Sequence, residues 1–398
     1  MIPRLKASLG WLEIKAVFSR SGGSDVNGFE RSFAQLAKQK HAIAFPYGRT
    51  ALVAIIRALD LNGAEIICPS YTCVVVPHAI VTSGNIPVFI DSDPDDFNMD
   101  LELVDKAVTS GTRVIICTSI FGHPVNLDHL DVMRNRYPEI IVIQDCAHSF
   151  FCEWEGRPLN KEGICAFYGF NISKIMTSIF GGMVTTDDDV FADKLRQVRD
   201  KLLHLAGPIK SFRRLLYLLA VYPAFSGPMY GLVNRLERSG LLNRFVRYYD
   251  PGLIDMPQDY LDQMTEVEAR VGTVQCQKYH AIVTHRRNIA KIYLAGLSAL
   301  KDIKMPSLKA GATYSHFVLR SNFAQRLKNH FLANGIQLGG LIDYYIPDLD
   351  CYRDCKVHSN GNGRRWPAEV VNLPVHTGCS EQDALRIVKL FRDYILSE

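Results

Sequence analysis

Lys174 stands alone in an otherwise uncharged stretch, FYGFNISKIMTSIFGGMV, over residues 167–184. Surface lysines come with charged neighbours, and one without them is desolvated. Burial lowers an ammonium pKa, which leaves a neutral amine able to condense with an aldehyde. A lysine snorkelling out of an apolar segment is the plain alternative. Upstream, IIVIQDCAHS (140–149) ends an apolar run at Asp145, with His148 three residues further on. A carboxylate there can hold a protonated heterocyclic nitrogen, and the imidazole can lie against a ring; an Asp capping a helix is the competing reading. Further upstream, PYGRTAL (46–52) places Gly48 and Arg49 in a glycine turn between a strand and a helix. Backbone N–H groups at a helix N-terminus cradle phosphate, although such turns are common and carry little weight alone. In this order the three pieces match the needs of a phosphorylated pyridine aldehyde: an anchored phosphate, a carboxylate for the ring nitrogen and a dry amine.

The elements that must position them are legible. HAIAF (41–45) leads into a helical pattern from Thr50 to Leu59. EIICP (65–69), IPVFID (86–91), TRVIICTS (112–119), EIIVIQD (139–145), CAFYGF (165–170) and GMVTTDD (182–188) follow as strand-like runs, with helical patterns such as Cys73–Ser83 and Leu101–Val108 between them. Continuous apolar strands separated by helices predict an α/β fold, a mostly parallel sheet of about seven strands sandwiched by helices. Chemistry in such sheets collects at the carboxyl ends of the strands. From Met264 to Leu300 the pattern is one long helix; TYSHFVLR, FAQRLKNHFLANGI and EQDALRIVKLFRDYIL then predict a smaller α+β C-terminal domain. The expected division is 1–260 and 261–398.

A chain of 398 residues, 22% charged and 47% hydrophobic, has the composition of a soluble two-core protein. A net charge of +4 without a basic, aromatic-interleaved tract gives no reason to expect a nucleic-acid partner. MIPRLKASLGWLEIK shows neither a long apolar run nor a small-residue cleavage site, so no signal peptide is read. Several of the ten cysteines lie inside apolar runs, no CxxC pair occurs, and Cys351 and Cys355 lack companion ligands. Reduced thiols in a cytoplasmic protein, without a bound metal, are expected.

One segment breaks the pattern. Residues 215–234, LLYLLAVYPAFSGPMYGLVN, carry no charge but are interrupted by Pro223, Gly227 and Pro228, which argues against a spanning helix. Within 201–250 eight basic residues face only Glu237 and Asp250. A broken apolar hairpin with a cationic rim can rest on an anionic membrane surface, here through 212–238; an element buried at a subunit interface or forming a lid is the alternative.

The landmarks GRTAL, ICPSYTCVVVPHAIVTSGNIPVFIDSDPDDFNMD, IFGHPVNLDHL, QDCAHSF, FNISK and FGGMVTTDD, with MTEVEARVGTVQ and NLPVHTG later, resemble the DegT/DnrJ/StrS family of sugar aminotransferases. The resemblance implies the aspartate aminotransferase fold (fold type I) and pyridoxal 5'-phosphate (PLP) as cofactor. By position it implies that Gly48 and Arg49 bind the cofactor phosphate, Asp145 the pyridine nitrogen, and His148 the region of the ring hydroxyl. Lys174 then carries the cofactor. The segment Tyr71, Thr72, Cys73 falls where an aromatic side chain stacks on the ring, and Cys73 stands in that aromatic's place. Gly169 replaces a serine or threonine that commonly binds phosphate. Ile175, Phe180, Leu261 and Gln263 are further departures around the lysine and before the MTE helix.

The function implied is transfer of an amino group, with glutamate as donor, to a nucleotide-linked keto-sugar for a polysaccharide or glycoconjugate; the basic, apolar insertion suggests a lipid-linked acceptor as a variant. A homodimer is implied as well. Family members that become sugar dehydratases replace the lysine, and Lys174 is retained here. Two other readings stay open on the sequence. QDCAHS also resembles the DxAHS element of PLP enzymes that join an acyl-CoA to an amino acid, and the departures suit a degenerate member acting as scaffold or regulator.

Overall fold

The computed structural model describes residues 1–19, 23–224, 229–231, 252–300, 302–306 and 309–397. Helices α1 (Trp11–Val17) and α2 (Asp25–Ala37) precede strand β1 (His41–Phe45). The chain then alternates through α3 (Gly48–Ala58), β2 (Glu65–Pro69), α4 (Val75–Thr82), β3 (Ile86–Ile90), α5 (Leu101–Ala107), β4 (Thr112–Thr118), α6 (Leu127–Arg136) and β5 (Ile141–Asp145). A hairpin of β6 (Glu153–Trp154) and β7 (Arg157–Pro158) leads to β8 (Cys165–Gly169), β9 (Gly182–Thr186), α7 (Asp189–Leu202) and α8 (Pro208–Ala224). The C-terminal part holds the long α9 (Glu266–Leu297), β10 (Phe317–Arg320), α10 (Ala324–Ala333), β11 (Val357–His358), α11 (Asn362–Glu369), β12 (Val370–Leu373) and α12 (Glu381–Ser397).

The main sheet has eight strands in the order β1-β9-β8-β5-β4-β2-β3-β11. β9 runs antiparallel to both its neighbours, and the other pairings are parallel. Seven of these strands are the expected ones, and nearly every residue in them is buried, because helices cover both faces. The eighth, β11, comes from the far end of the chain. It is held by Asp91, which accepts from the backbone N–H groups of Asn360 (3.1 Å), Gly361 (2.9 Å) and Gly363 (2.7 Å). Ile346 and Tyr352 of the same returning segment join the core under β2 and β3.

Helix α9 starts at a capping box, in which Thr265 and Glu268 satisfy each other's backbone N–H groups. Its C-terminal half packs into a second core with Phe317, Leu319, Phe331, Ile387 and Phe391. Helix α8 forms from the expected insertion. It is amphipathic: Leu218 is buried in a cluster with Ile14, Val17 and Phe180, while Ile209, Phe212, Leu216 and Leu219 are exposed. The rest of the apolar stretch, 225–228 and 232–234, lies outside the described residues, as does 235–238 of the expected cationic rim. Among the described residues, no helix is long and apolar enough to cross a membrane.

Candidate active site

Four loops at the carboxyl ends of β1, β4, β5 and β8 converge. Asp145, the last residue of β5, is buried; its Oδ2 accepts from Thr118 Oγ1 at the end of β4 (3.1 Å) and its Oδ1 from the backbone N–H of Ala147 (3.0 Å). Burial raises its pKa, against the opposing effects of the Ala147 hydrogen bond, Lys174 and Thr118. A dry carboxylate of this kind is relieved by a cationic partner.

Lys174 follows β8 in a loop closed by Phe170 N–H donating to the Gly181 carbonyl (2.9 Å) and anchored by the buried Ile175 and Met176. An Asx turn at Asn171, whose Oδ1 accepts from Ser173 N–H (3.0 Å), shapes the loop just before the lysine. The residue keeps some solvent contact, yet its amine is set deep enough that desolvation lowers its pKa, while Cys73 and Asp145 work against the shift. The stem passes Gly169, where an added Cβ would lie 3.9 Å from Lys174 Cε.

Gly48 opens α3. A Cβ there would lie 3.1 Å from the Tyr168 carbonyl and 3.3 Å from Gly169 Cα, so glycine lets the helix N-terminus come this close to the end of β8 without displacing that backbone. No side chain caps the first turn of α3, which leaves its N–H groups facing the site for an anion. Arg49 is buried, and its Nη1 donates to the Asp255 carbonyl (3.2 Å).

His148 lies beside Phe121, with ring centroids 6.1 Å apart and planes at 24°. Its Nδ1 accepts from the Phe121 backbone N–H (3.4 Å), so the neutral ring carries its proton on Nε2. Burial, then the charges of Lys174 and His316, hold its pKa well below the ordinary histidine value. Phe121 has φ +58°, a strained conformation for a bulky residue.

The segment after β2 divides. Cys73 acts on the Lys174 amine. Tyr71 is fully buried in a cluster with Phe97, Phe121 and Trp366, its hydroxyl directed to the Ile342 carbonyl (3.4 Å), and Thr72 is buried beside it in sequence. Phe121 and His316, the rings nearest His148, were not singled out by the sequence. Phe121 lies in the landmark IFGHPVNLDHL, but nothing in that motif marks the ring itself as part of the site. His316, from the approach to β10, has its ring 5.2 Å from that of His148; nothing local in TYSHFVLR marks it.

The donor set fits a phosphorylated pyridine aldehyde on this structure's own terms: an uncapped helix N-terminus, a buried carboxylate and a desolvated amine at adjoining strand ends. Fold and site together define a PLP-dependent enzyme with a fold-type-I sheet. The family model for DegT/DnrJ/EryC1/StrS aminotransferases matches residues 13–214 and 236–392, and the chain belongs to that family; it is a PLP-dependent aminotransferase. The match favours amino transfer over the acyl-CoA reading. A GDP-perosamine synthase of Escherichia coli O157:H7 is 23% identical over 380 residues, covering 94% of this chain and 91% of the relative. Another from Caulobacter vibrioides is 33% identical over 180 residues, covering 45% of this chain and 48% of the relative. Among solved structures, the sugar aminotransferase CalS13 from Micromonospora echinospora superposes with a TM-score of 0.78 at 19% identity, covering 99% of this chain and 100% of its own. A GDP-4-keto-6-deoxymannose-3-dehydratase gives 0.76 at 17% identity, covering 99% and 100%. These likenesses establish the fold, which aminotransferase and dehydratase share.

Proposed function

We propose that the enzyme moves an amino group from an amino acid, glutamate, to a nucleotide-linked keto-sugar, with Lys174 as the residue that carries the cofactor and shuttles the proton. The observation that carries this reading is the deeply set amine of Lys174 beside the buried carboxylate of Asp145. When bound, PLP supplies an aldehyde to hold the amino group and a ring to take up electron density from the carbon being deprotonated. Asp145 would keep the ring nitrogen protonated, its lone pairs directed by Thr118 and Ala147. Gly48 and the first N–H groups of α3 would bind the phosphate, with Arg49 adding positive charge next to them. His148 would present Nε2–H towards the ring. Lys174, once neutral, takes a proton at Nζ and returns it to the neighbouring carbon, a role its lowered pKa favours. Cys73 lies close enough to the amine to oppose its pKa shift, and Tyr71 and Thr72 of the same segment would help to line the cofactor site.

The two GDP-perosamine synthases support a nucleotide-sugar acceptor. A homodimer and a two-domain division near residue 260 belong to the same proposal, as does peripheral contact with a membrane surface through 212–238. The test is an absorbance titration of the purified protein, first with glutamate, then with nucleotide-linked keto-sugars. Glutamate should remove the visible band and the right keto-sugar restore it. A band indifferent to glutamate and other amino acids would sink the reading.

A further inference from the structure

We propose that the outer face of α8, with the neighbouring exposed face of α1, is a docking surface for an anionic lipid bilayer. This inference deepens the membrane placement proposed above and uses described residues only. Ile209 (68% exposed), Phe212 (58%), Leu216 and Leu219 recur at helical spacing along one side of α8. No acidic residue interrupts them, and Arg213 is exposed among them. α1 shares a buried cluster with α8 and repeats the pattern: Trp11 (69% exposed), Lys15 and Phe18 stand at i, i+4 and i+7. Apolar and aromatic side chains alternating with cations form the composition of a helix that lies in a lipid headgroup layer, with tryptophan preferring that boundary.

The charge pattern selects the occupant. On this face Lys15 and Arg213 are exposed, and the one acidic residue of α1, Glu13, is buried and paired with Lys278. A two-fold pairing of two copies through this face would press like charges together; an anionic bilayer attracts them. The opposite side of α8 is engaged inside the protein. Lys210 Nζ donates to the carbonyls of Asp262 (2.8 Å) and Gln263 (3.0 Å), and Arg214 is ion-paired with Glu268 (2.8 Å). The helix therefore presents its apolar face outward while its other face stays fixed to the protein.

The experiment is co-sedimentation of the holoenzyme with vesicles of phosphatidylglycerol and phosphatidylcholine, or of phosphatidylcholine alone. Binding is expected to the anionic vesicles and should fall as salt rises. The triple variant Ile209→Ser, Phe212→Ser, Leu216→Ser should lose roughly tenfold or more in vesicle affinity, and Arg213→Glu should weaken it too. Both should keep the absorbance response to glutamate. Failure of the unaltered enzyme to bind anionic vesicles, or equal binding by the triple variant, overturns the inference. So does a halved mass of the triple variant in solution, which would assign the face to a second copy. Loss of the glutamate response in the unaltered enzyme tells instead against the aminotransferase mechanism.

Discussion

Arg214 donates to the hydroxyl of Tyr47 at 2.9 Å, and so ties the inserted helix α8 to the residue that immediately precedes Gly48. The same guanidinium reaches Asp259 (2.6 Å) and Glu268 (2.8 Å) and lies over the Phe180 ring at 4.3 Å. Phe180 is one of the departures that the sequence resemblance implies, and Leu261 and Gln263, two others, lie in the segment that α8 grips. A cation arriving from the insertion thus occupies the neighbourhood where those departures occur.

Glu268 is fully buried, and burial raises its pKa against the pull of Arg214 and Lys210. Arg214→Met should cost about 3–5 kcal/mol of stability, because it removes the ion-paired partner of a buried carboxylate and leaves only Lys210 to offset that charge. Adding Glu268→Gln should recover more than half. Urea unfolding of the cofactor-free protein measures both, and a weaker cofactor dissociation constant in the single variant would report the loosened Tyr47–Gly48 turn.

Lys174→Ala should lose the visible absorbance of the covalently held cofactor, and turnover should fall by about 10²–10⁴-fold. The pH dependence carries the same signature. Because burial lowers the lysine pKa, its neutral fraction rises with pH through that lowered value. The rate of cofactor attachment to the apoprotein should therefore level off below pH 10.5, the ordinary lysine value. A rate still rising at that pH would place the amine in solvent.

Gly169→Ser should fold normally, since an added Cβ meets only Lys174 Cε at 3.9 Å and Ala147 Cβ at 4.0 Å, ordinary packing distances. The hydroxyl would restore the group found in relatives by resemblance, and cofactor affinity should rise by up to about tenfold, the worth of one hydrogen bond. Gly48→Ala, with 3.1 Å to the Tyr168 carbonyl, should move affinity the other way.

Acid should destabilise the protein through two buried histidines. Burial pulls His123 and His376 down to about 4, below the ordinary 6.5. His376 is built to be neutral: Nε2 donates to the Pro3 carbonyl (2.9 Å) and Nδ1 accepts from Gly378 N–H (3.1 Å). A depressed folded-state pKa means stability present above pH 6.5 and lost as pH falls towards 4, up to about 3 kcal/mol for each group. His376→Gln should flatten that limb of a stability–pH curve; an unchanged slope would show that the ring is already charged.

The sequence revealed most of the sheet because strands β1 to β5, β8 and β9 are apolar on both faces, and a run such as IIVIQD needs no partner to be recognised. Lys174, Asp145 and Gly48 were legible for a related reason: each is a polar or glycine interruption of such a run. What escaped depends on partners far along the chain. β11 is two residues long and exists only because β3 is there to receive it. His316 reaches His148 by tertiary packing alone. Lys210 and Arg214 were read as part of a cationic rim, but the structure turns both inward onto Asp259 and the start of α9. Composition gives the number of charges, and only packing decides which way they point.

The late arrival of Val357 and His358 at the margin of the main sheet has a consequence for synthesis. As the chain leaves the ribosome, β3 is complete long before the residues that cover its outer rim are translated. Through that interval its outward N–H and C=O groups stay open to whatever strand comes near, and nascent chains on neighbouring ribosomes offer the same sequence. Premature termination between Lys174 and residue 357 would therefore release a product prone to self-association, even with every proposed cofactor-binding side chain already translated.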